Sequence, residues 1–334
     1  MLHINSIFLG RIPKDKENLN DCQDFLAAKA NYLAIADGSS QSFYPTIWAK
    51  LLVRHFIDLP NLNEDNWQDW LAPIQEEWLS EVTSRVEIAK SKKKPVWITN
   101  QNRLLRREAA TSTFVGLKLT GKKLYLSIVG DSCVFVWQKE KNRLEAFNRQ
   151  SSQEFDDRPE YFGSYSKDNN FQPQFFEIEL DNFELKNTFF LVATDALAEW
   201  VLKNWELGDE VFSYLLNIQS QGDFENKMSL ARDSSQFKLK NDDTTLITFQ
   251  ISKNRINIPD YLPQDSVDDF EQVEEAEQVV PDYFGIKKDK NDYFNDQQRE
   301  KDIKHQEKIN QLVNRNRKIA KSNQKYSVKS SVFL

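Results

Sequence analysis

Apolar residues fall into short runs along most of the chain, and their spacing changes period several times. The run INSIFLG (4–10) alternates as a strand does, and the polar stretch RIPKDKENLNDCQD (11–24) reads as a loop. NYLAIAD (31–37) is a short apolar run closed by Asp37-Gly38, a strand followed by a turn. From Tyr44 the period lengthens. Ile47, Trp48, Leu51, Leu52, His55 and Phe56 recur at helical spacing and predict a helix over 45–58. Trp67, Trp70, Leu71, Ile74, Trp78, Leu79 and Val82 predict a second helical region over 64–90. Pro73 is expected to interrupt or start a helix there. The tryptophans of this region read as packing, and His55 as a helix-face residue without a ligand role.

Between 111 and 137 the pattern returns to strands. TSTFVGLKL, KLYLSIVGD and SCVFVWQ are three strand-like runs, the first two separated by Thr120-Gly121-Lys122, a hairpin signal. FQPQFFEIEL (171–180), NTFFLVATD (187–195) and DTTLITFQI (243–251) are further strands, with helical patterns at 196–204, 208–219 and 222–235. Consecutive strands imply antiparallel pairing with helices outside, so the fold class is α+β rather than a βαβ array. The body ends near residue 255. Residues 256–286 hold three prolines and an acidic run and read as an extended linker. Residues 287–334 carry only a thin apolar stripe (Ile303, Ile309, Leu312, Val313, Ile319), as in an exposed helix or one formed on binding.

Composition adds a real core: 40% of the 334 residues are hydrophobic, with 23 Phe and 8 Trp, which excludes a wholly disordered chain. The net charge of −7 is unevenly placed. Residues 259–286 contain nine acids and no Lys or Arg, whereas residues 287–334 carry thirteen Lys and Arg against six acids. Only that last part could attract polyanions, and it holds no nucleic-acid motif. It is a candidate interaction arm. No apolar run approaches the roughly 20 residues of a membrane span. The N-terminal segment lacks a basic region and cleavage site, so the expectation is a cytoplasmic protein. Two cysteines, Cys22 and Cys133, exclude a disulfide scaffold or cysteine-rich zinc site. Cys133 reads as buried and inert. The three histidines, His3, His55 and His305, are scattered, so hydrolytic chemistry would fall to carboxylates.

The aspartates share one grammar. Asp37 ends NYLAIAD, Asp131 ends LYLSIVGD, Asp195 ends FFLVATD, and Asp242 and Asp243 precede TTLITF. Asp24 stands at the start of FLAAKANYLAIA. A single aspartate after a strand is ordinarily a turn former or helix cap. Several delivered to one rim repel one another unless a cation lies between them. Oxygen-only ligands favour hard cations such as magnesium or manganese. Two such ions lower the pKa of a bridging water and stabilise charge on a phosphoryl group, chemistry suited to phosphate ester hydrolysis.

The ordered set Cys22-Gln23-Asp24, Ile35-Ala36-Asp37-Gly38, Ser112-Thr113, Val129-Gly130-Asp131-Ser132, Ala193-Thr194-Asp195 and Asp242-Asp243-Thr244-Thr245 resembles the PPM family. These are the protein phosphatase 2C-like, metal-dependent Ser/Thr phosphatases, and the likeness is to their divergent bacterial branch. It covers residues 5–252. The resemblance implies a four-layer αββα sandwich, two antiparallel sheets flanked by helices, with a pair of manganese or magnesium ions at one end. It implies that Asp37, Asp195 and Asp242 hold the pair directly and Asp24 directly or through water. Gly38 would offer its carbonyl, and Asp131 would help hold a weaker third ion. The nucleophile would be metal-bound hydroxide, the substrate a phosphoprotein, and a Ser/Thr kinase a candidate partner. Residues 150–172 fall where related phosphatases carry a flap beside the cleft.

The chain departs from that pattern at several points. D-G is followed by Ser39-Ser40-Gln41-Ser42, T-D-G becomes Thr194-Asp195-Ala196, and G-D-S-R becomes G-D-S-Cys133. Leu19 stands where many members place a phosphate-gripping Arg. Arg11 and Lys14 are nearby substitutes, although charges in a polar loop are ordinarily solvated. Two readings follow: a working phosphatase, or a catalytically weak phosphatase-fold module that binds phosphoproteins or a kinase.

Overall fold

The computed structural model describes residues 1–262 except 16–17, 156–158, 236–237 and 256–259. The expected tail at 287–334 lies outside the described residues, as does the linker except for Asp260–Leu262. One five-stranded antiparallel sheet runs β1 (His3–Ile12), β12 (Thr244–Ser252), β11 (Thr188–Ala193), β7 (Cys133–Gln138), β8 (Arg143–Phe147). The second runs β10 (Gln174–Glu179), β6 (Lys123–Val129), β5 (Phe114–Thr120), β3 (Tyr32–Asp37), β2 (Asp24–Lys29). A small ladder joins β4 (Thr111–Ser112) to β9 (Phe162–Gly163). The helices are α1 (Pro45–Asp58), α2 (Trp67–Ser91), α3 (Val96–Leu105), α4 (Asp195–Glu206), α5 (Val211–Leu216) and α6 (Gln221–Asp233).

Strand alternation sorts side chains into three apolar layers. On β3, Leu33 and Ile35 enter the layer between the sheets, with Val115, Leu126, Val134, Phe190 and Phe249. Ala34 and Ala36 face the other way, toward Trp48, Phe56, Trp70 and Trp78 of α1 and α2. Small residues on that face let the helices approach. At Gly116 a Cβ would lie 2.6 Å from the Phe56 ring. On the other sheet, Phe135, Leu191 and Ala193 pack against Leu197, Phe212 and Phe224 of α4–α6. Helices, sheet, sheet and helices therefore stack as the αββα sandwich the resemblance implies.

Two local expectations change. The 11–37 stretch holds a hairpin, β2–β3, that no Gly or Pro announces, because Ala30 takes the left-handed turn position with φ 52°. Pro73 neither starts nor interrupts a helix: α2 is continuous from Trp67 to Ser91. Burial of Trp70, Leu71, Ile74 and Trp78 on one face outweighs the lost backbone bond. The described part of 150–172 is anchored at β9. Phe162 is fully buried, and its carbonyl accepts from Trp48 Nε1 at 2.7 Å. As expected, Trp67, Trp70 and Trp78 are buried in packing. His55 is bound to Glu77 on α2 at 2.6 Å. Among the described residues no helix is long and apolar enough to cross a membrane.

Candidate metal centre

Asp24 opens β2 and Asp37 closes β3, and the two are register partners. Directly opposed residues of antiparallel strands present side chains on one face, so this pairing sets two carboxylates side by side. Asp131 lies in the turn between β6 and β7, after Gly130 at φ 95°. A Cβ at Gly130 would meet Thr113 Cγ2 at 2.6 Å, so the turn needs glycine twice over. Asp195 begins α4 directly after β11, and Asp242 and Asp243 lead into β12. β11 pairs with both β7 and β12, Ala193 standing opposite Cys133 and Leu246, so their site-bearing ends meet at one edge.

Hydroxyls fix this edge. Thr194 Oγ1 and Thr245 Oγ1 donate to Asp24 Oδ2 at 3.0 and 2.8 Å, and Thr194 Oγ1 accepts from Thr245 N at 3.0 Å. Ser112 Oγ and Thr113 N both donate to the Asp37 carbonyl, at 2.7 and 2.9 Å. Asn148, in left-handed backbone at φ 85°, donates to the carbonyls of Gly130 and Ser132 at 2.8 and 2.9 Å. Gly38 follows β3, where an added Cβ would lie 3.0 Å from Pro45. Thr194 and Thr245 belong to the ordered motifs. Nothing in the local sequence marks Asn148.

Electrostatics show that the carboxylates share one region. Burial pushes Asp24 up to about 7, with the Asp243 carboxylate adding to it and the two threonine hydroxyls opposing. Burial, then Asp131 and Asp242, push Asp195 up to about 8. Asp37 rises well above the usual carboxylate range through burial, then through Asp24, Asp195, Asp242 and Asp131. Each aspartate singled out in the sequence thus acts on another at this edge.

The donor set suits a hard divalent cation: oxygen only, no imidazole or thiolate, and several negative charges together. Asp24 Oδ1 is buried without a hydrogen-bond donor, as is Gln23 Oε1 beside it. Among the described residues, no three His, Cys, Asp or Glu side chains close on a single point as a finished ion cage would.

The two basic candidates part company. Arg11 gives its guanidinium to the carbonyls of Cys22 at 3.3 Å and Asp24 at 2.5 Å and lies over the Phe25 ring. It braces the start of β2 from beneath. Lys14 reaches the carboxylates, its Nζ 3.2 Å from Asp242 Oδ1 and 2.8 Å from Ser40 Oγ. Sequence reasoning missed Arg232 on α6. It is 4% exposed and donates to the carbonyls of Pro13 and Asp242 at 3.0 and 2.6 Å and to Asp15 Oδ1 at 2.9 Å. Two of its partners, Pro13 and Asp15, lie more than two hundred residues away along the chain, and nothing local signals the clamp.

The motif departures have structural counterparts. Ser39 and Ser42 close the turn into α1, Ser42 Oγ donating to the Ser39 carbonyl at 2.8 Å. Ala196 is buried against the α4–α6 layer. Cys133 is buried as expected, its thiol pushed up by burial, and Sγ contacts the Asp131 carbonyl at 3.3 Å.

No family model and no curated protein matches the chain. Among solved structures it is similar to the serine/threonine phosphatase Stp1 from Staphylococcus aureus, at 15% identity over 73% of this chain and 94% of that one, TM-score 0.45. It is similar to the catalytic domain of serine threonine protein phosphatase PstP in complex with two manganese ions, at 13% identity over 75% and 99%, TM-score 0.43. It is also similar to PppA, described as a key regulatory component of T6SS in Pseudomonas aeruginosa, at 16% identity over 74% and 100%, TM-score 0.47.

Proposed function

We propose that the chain is a divalent-cation-dependent phosphoprotein phosphatase acting on phosphoserine and phosphothreonine. The observation that carries this reading is the gathering of Asp24, Asp37, Asp131, Asp195 and Asp242 at one edge of two facing sheets, where burial and then the neighbouring carboxylates push Asp24, Asp37 and Asp195 above the usual carboxylate range. Asp37, Asp195 and Asp242 would hold a manganese or magnesium pair, with Asp24 and the Gly38 carbonyl beside them and Asp131 toward a weaker third ion. When bound, such ions supply a water of lowered pKa and charge stabilisation at a phosphoryl group.

The chain's own residues supply position. Thr194 and Thr245 keep one oxygen of Asp24 occupied and leave the other without a donor. Ser112 and Thr113 hold the end of β3 so that Asp37 faces Asp24. Both thiols are buried and pushed up, so neither Cys22 nor Cys133 is built as a nucleophile. The substrate would be a phosphoprotein, the opposing activity that of a Ser/Thr kinase, and the setting cytoplasmic.

The test is hydrolysis of a phosphothreonine peptide and of p-nitrophenyl phosphate by the full chain under manganese titration, with Asp37→Asn and Asp195→Asn alongside. Manganese-dependent turnover lost in both variants is expected. Full turnover in either variant overturns the site assignment. One observation favours a second reading, a catalytically weak module that binds phosphoproteins or a kinase: an ammonium already occupies Asp242. Saturable phosphopeptide binding without turnover would establish that reading instead.

A further inference from the structure

We propose that Lys14 is a tethered cation that competes with a divalent ion for Asp242, so that the weaker of two ions enters only by displacing it. This rests on the metal-site reading above. The lysine is not a loose surface charge. Its backbone N–H donates to Asp243 Oδ1 at 3.0 Å, and the other oxygen of Asp243 accepts from Gln23 N at 2.7 Å. The residues on either side are clamped by Arg232, which takes the Pro13 carbonyl and the Asp15 carboxylate. The same guanidinium takes the Asp242 carbonyl at 2.6 Å. One buried side chain therefore fixes both the loop that carries the ammonium and the backbone of the carboxylate it meets.

The ammonium end is held as well. Nζ lies between Asp242 Oδ1 and Ser40 Oγ and so bridges the segments after β3 and before β12. Ser40 belongs to the D-G-S-S departure from the family pattern, which gives that departure a purpose. A lysine ammonium is a compact point charge, able to neutralise one carboxylate but not to gather several ligands as a divalent ion does. Because it is tethered, it competes at a high local concentration that dilution does not lower. The pair is partly open to water, with side-chain exposures of 24% for Lys14 and 46% for Asp242. Its hold is therefore modest, and a divalent ion at sufficient concentration displaces it.

The experiment is calorimetric titration of manganese into the full-length chain, with melting temperature recorded before and after metal. Lys14→Met should tighten the weaker manganese site on the order of tenfold, from loss of the pair and of like-charge repulsion. It should leave the tighter site within about twofold and lower the metal-free melting temperature. Ser40→Ala keeps the charge but cuts one tether, and should shift the weaker site in the same direction by about twofold. Lys29→Met removes an equal charge paired with Asp58 at the other end of β2, and should change neither site. An unchanged weaker site in Lys14→Met overturns the proposal, as does weakened binding of both ions. Binding of a second manganese ion by Lys14→Met where the wild type binds only one supports it. Manganese binding without phosphatase turnover would sink the enzymatic reading while leaving the tether standing. Absence of binding in both proteins would sink the two together.

Discussion

Replacing Arg232 by methionine removes the donors that join the Lys14 loop to Asp242 while keeping most of the buried aliphatic length. Two carbonyls, those of Pro13 and Asp242, lose a charged donor. At roughly 1.5 kcal/mol each this is a loss of about 3 kcal/mol. Asp15 is 46% exposed, so it rehydrates and adds little. Against the loss stands the relief of taking a charge out of the interior, since the Arg232 Nε has no hydrogen-bond partner. The balance is a destabilisation of about 2 kcal/mol, which lowers the melting temperature by roughly 4–8 °C for a body of this size. Differential scanning calorimetry of the metal-free full chain measures it. Arg232→Lys, a single point charge in place of a fork, should fall between the two. A melting temperature within about 1 °C of wild type would refute the clamp, because those carbonyls would then have found other donors.

Other expected outcomes follow from the same edge. Asp37→Asn takes one charge from the centre, so it should raise metal-free stability by about 1 kcal/mol while cutting manganese-dependent turnover by about 100-fold or more; urea denaturation and peptide hydrolysis check the two halves. Asp24 and Asp195 bind protons up to about 7 and about 8 in the folded chain but only near 3.8 when unfolded. Their contribution to metal-free stability is thus fully present below the unfolded value and is lost as pH rises through 7 to 8. Thermal melts across that interval should show the fall, and manganese binding at neutral pH should release protons, seen as a buffer-dependent heat. Gly130→Ala forces a side chain into left-handed backbone and against Thr113, at a cost of about 2–3 kcal/mol, read from the urea midpoint.

The fold was legible wherever one physical signal dominated. Helix α1 showed itself through Ile47, Trp48, Leu51 and Phe56, and most strands through apolar runs, three of which lead into Asp37, Asp131 and Asp195. Those aspartates were legible as a set, because one alone reads as a turn former but their order along the chain repeats a known pattern. The β2–β3 hairpin was hidden because Ala30 turns the chain without glycine. The continuity of α2 was hidden because tertiary burial, not local preference, carries the helix past Pro73. The Arg232 clamp depends on partners more than two hundred residues away, at Pro13 and Asp15. A stretch rich in Lys, Asp and Asn looks solvated until the fold brings Asp243 and Asn241 beneath it.

β2 is the outermost strand of its sheet. Its outer rim would offer unpaired amides and carbonyls to any passing chain, the usual beginning of edge-to-edge aggregation. Ala28 meets this with a partner drawn from beyond β12, exchanging both backbone bonds with Tyr261 at 2.8 Å. The neighbouring Lys29 adds a charge that discourages further pairing. A protein shortened to residue 255 would keep every strand of both sheets yet lose this guard. It should be less soluble than one ending at Leu262, for a reason that has nothing to do with the carboxylates at the far end of the same strand.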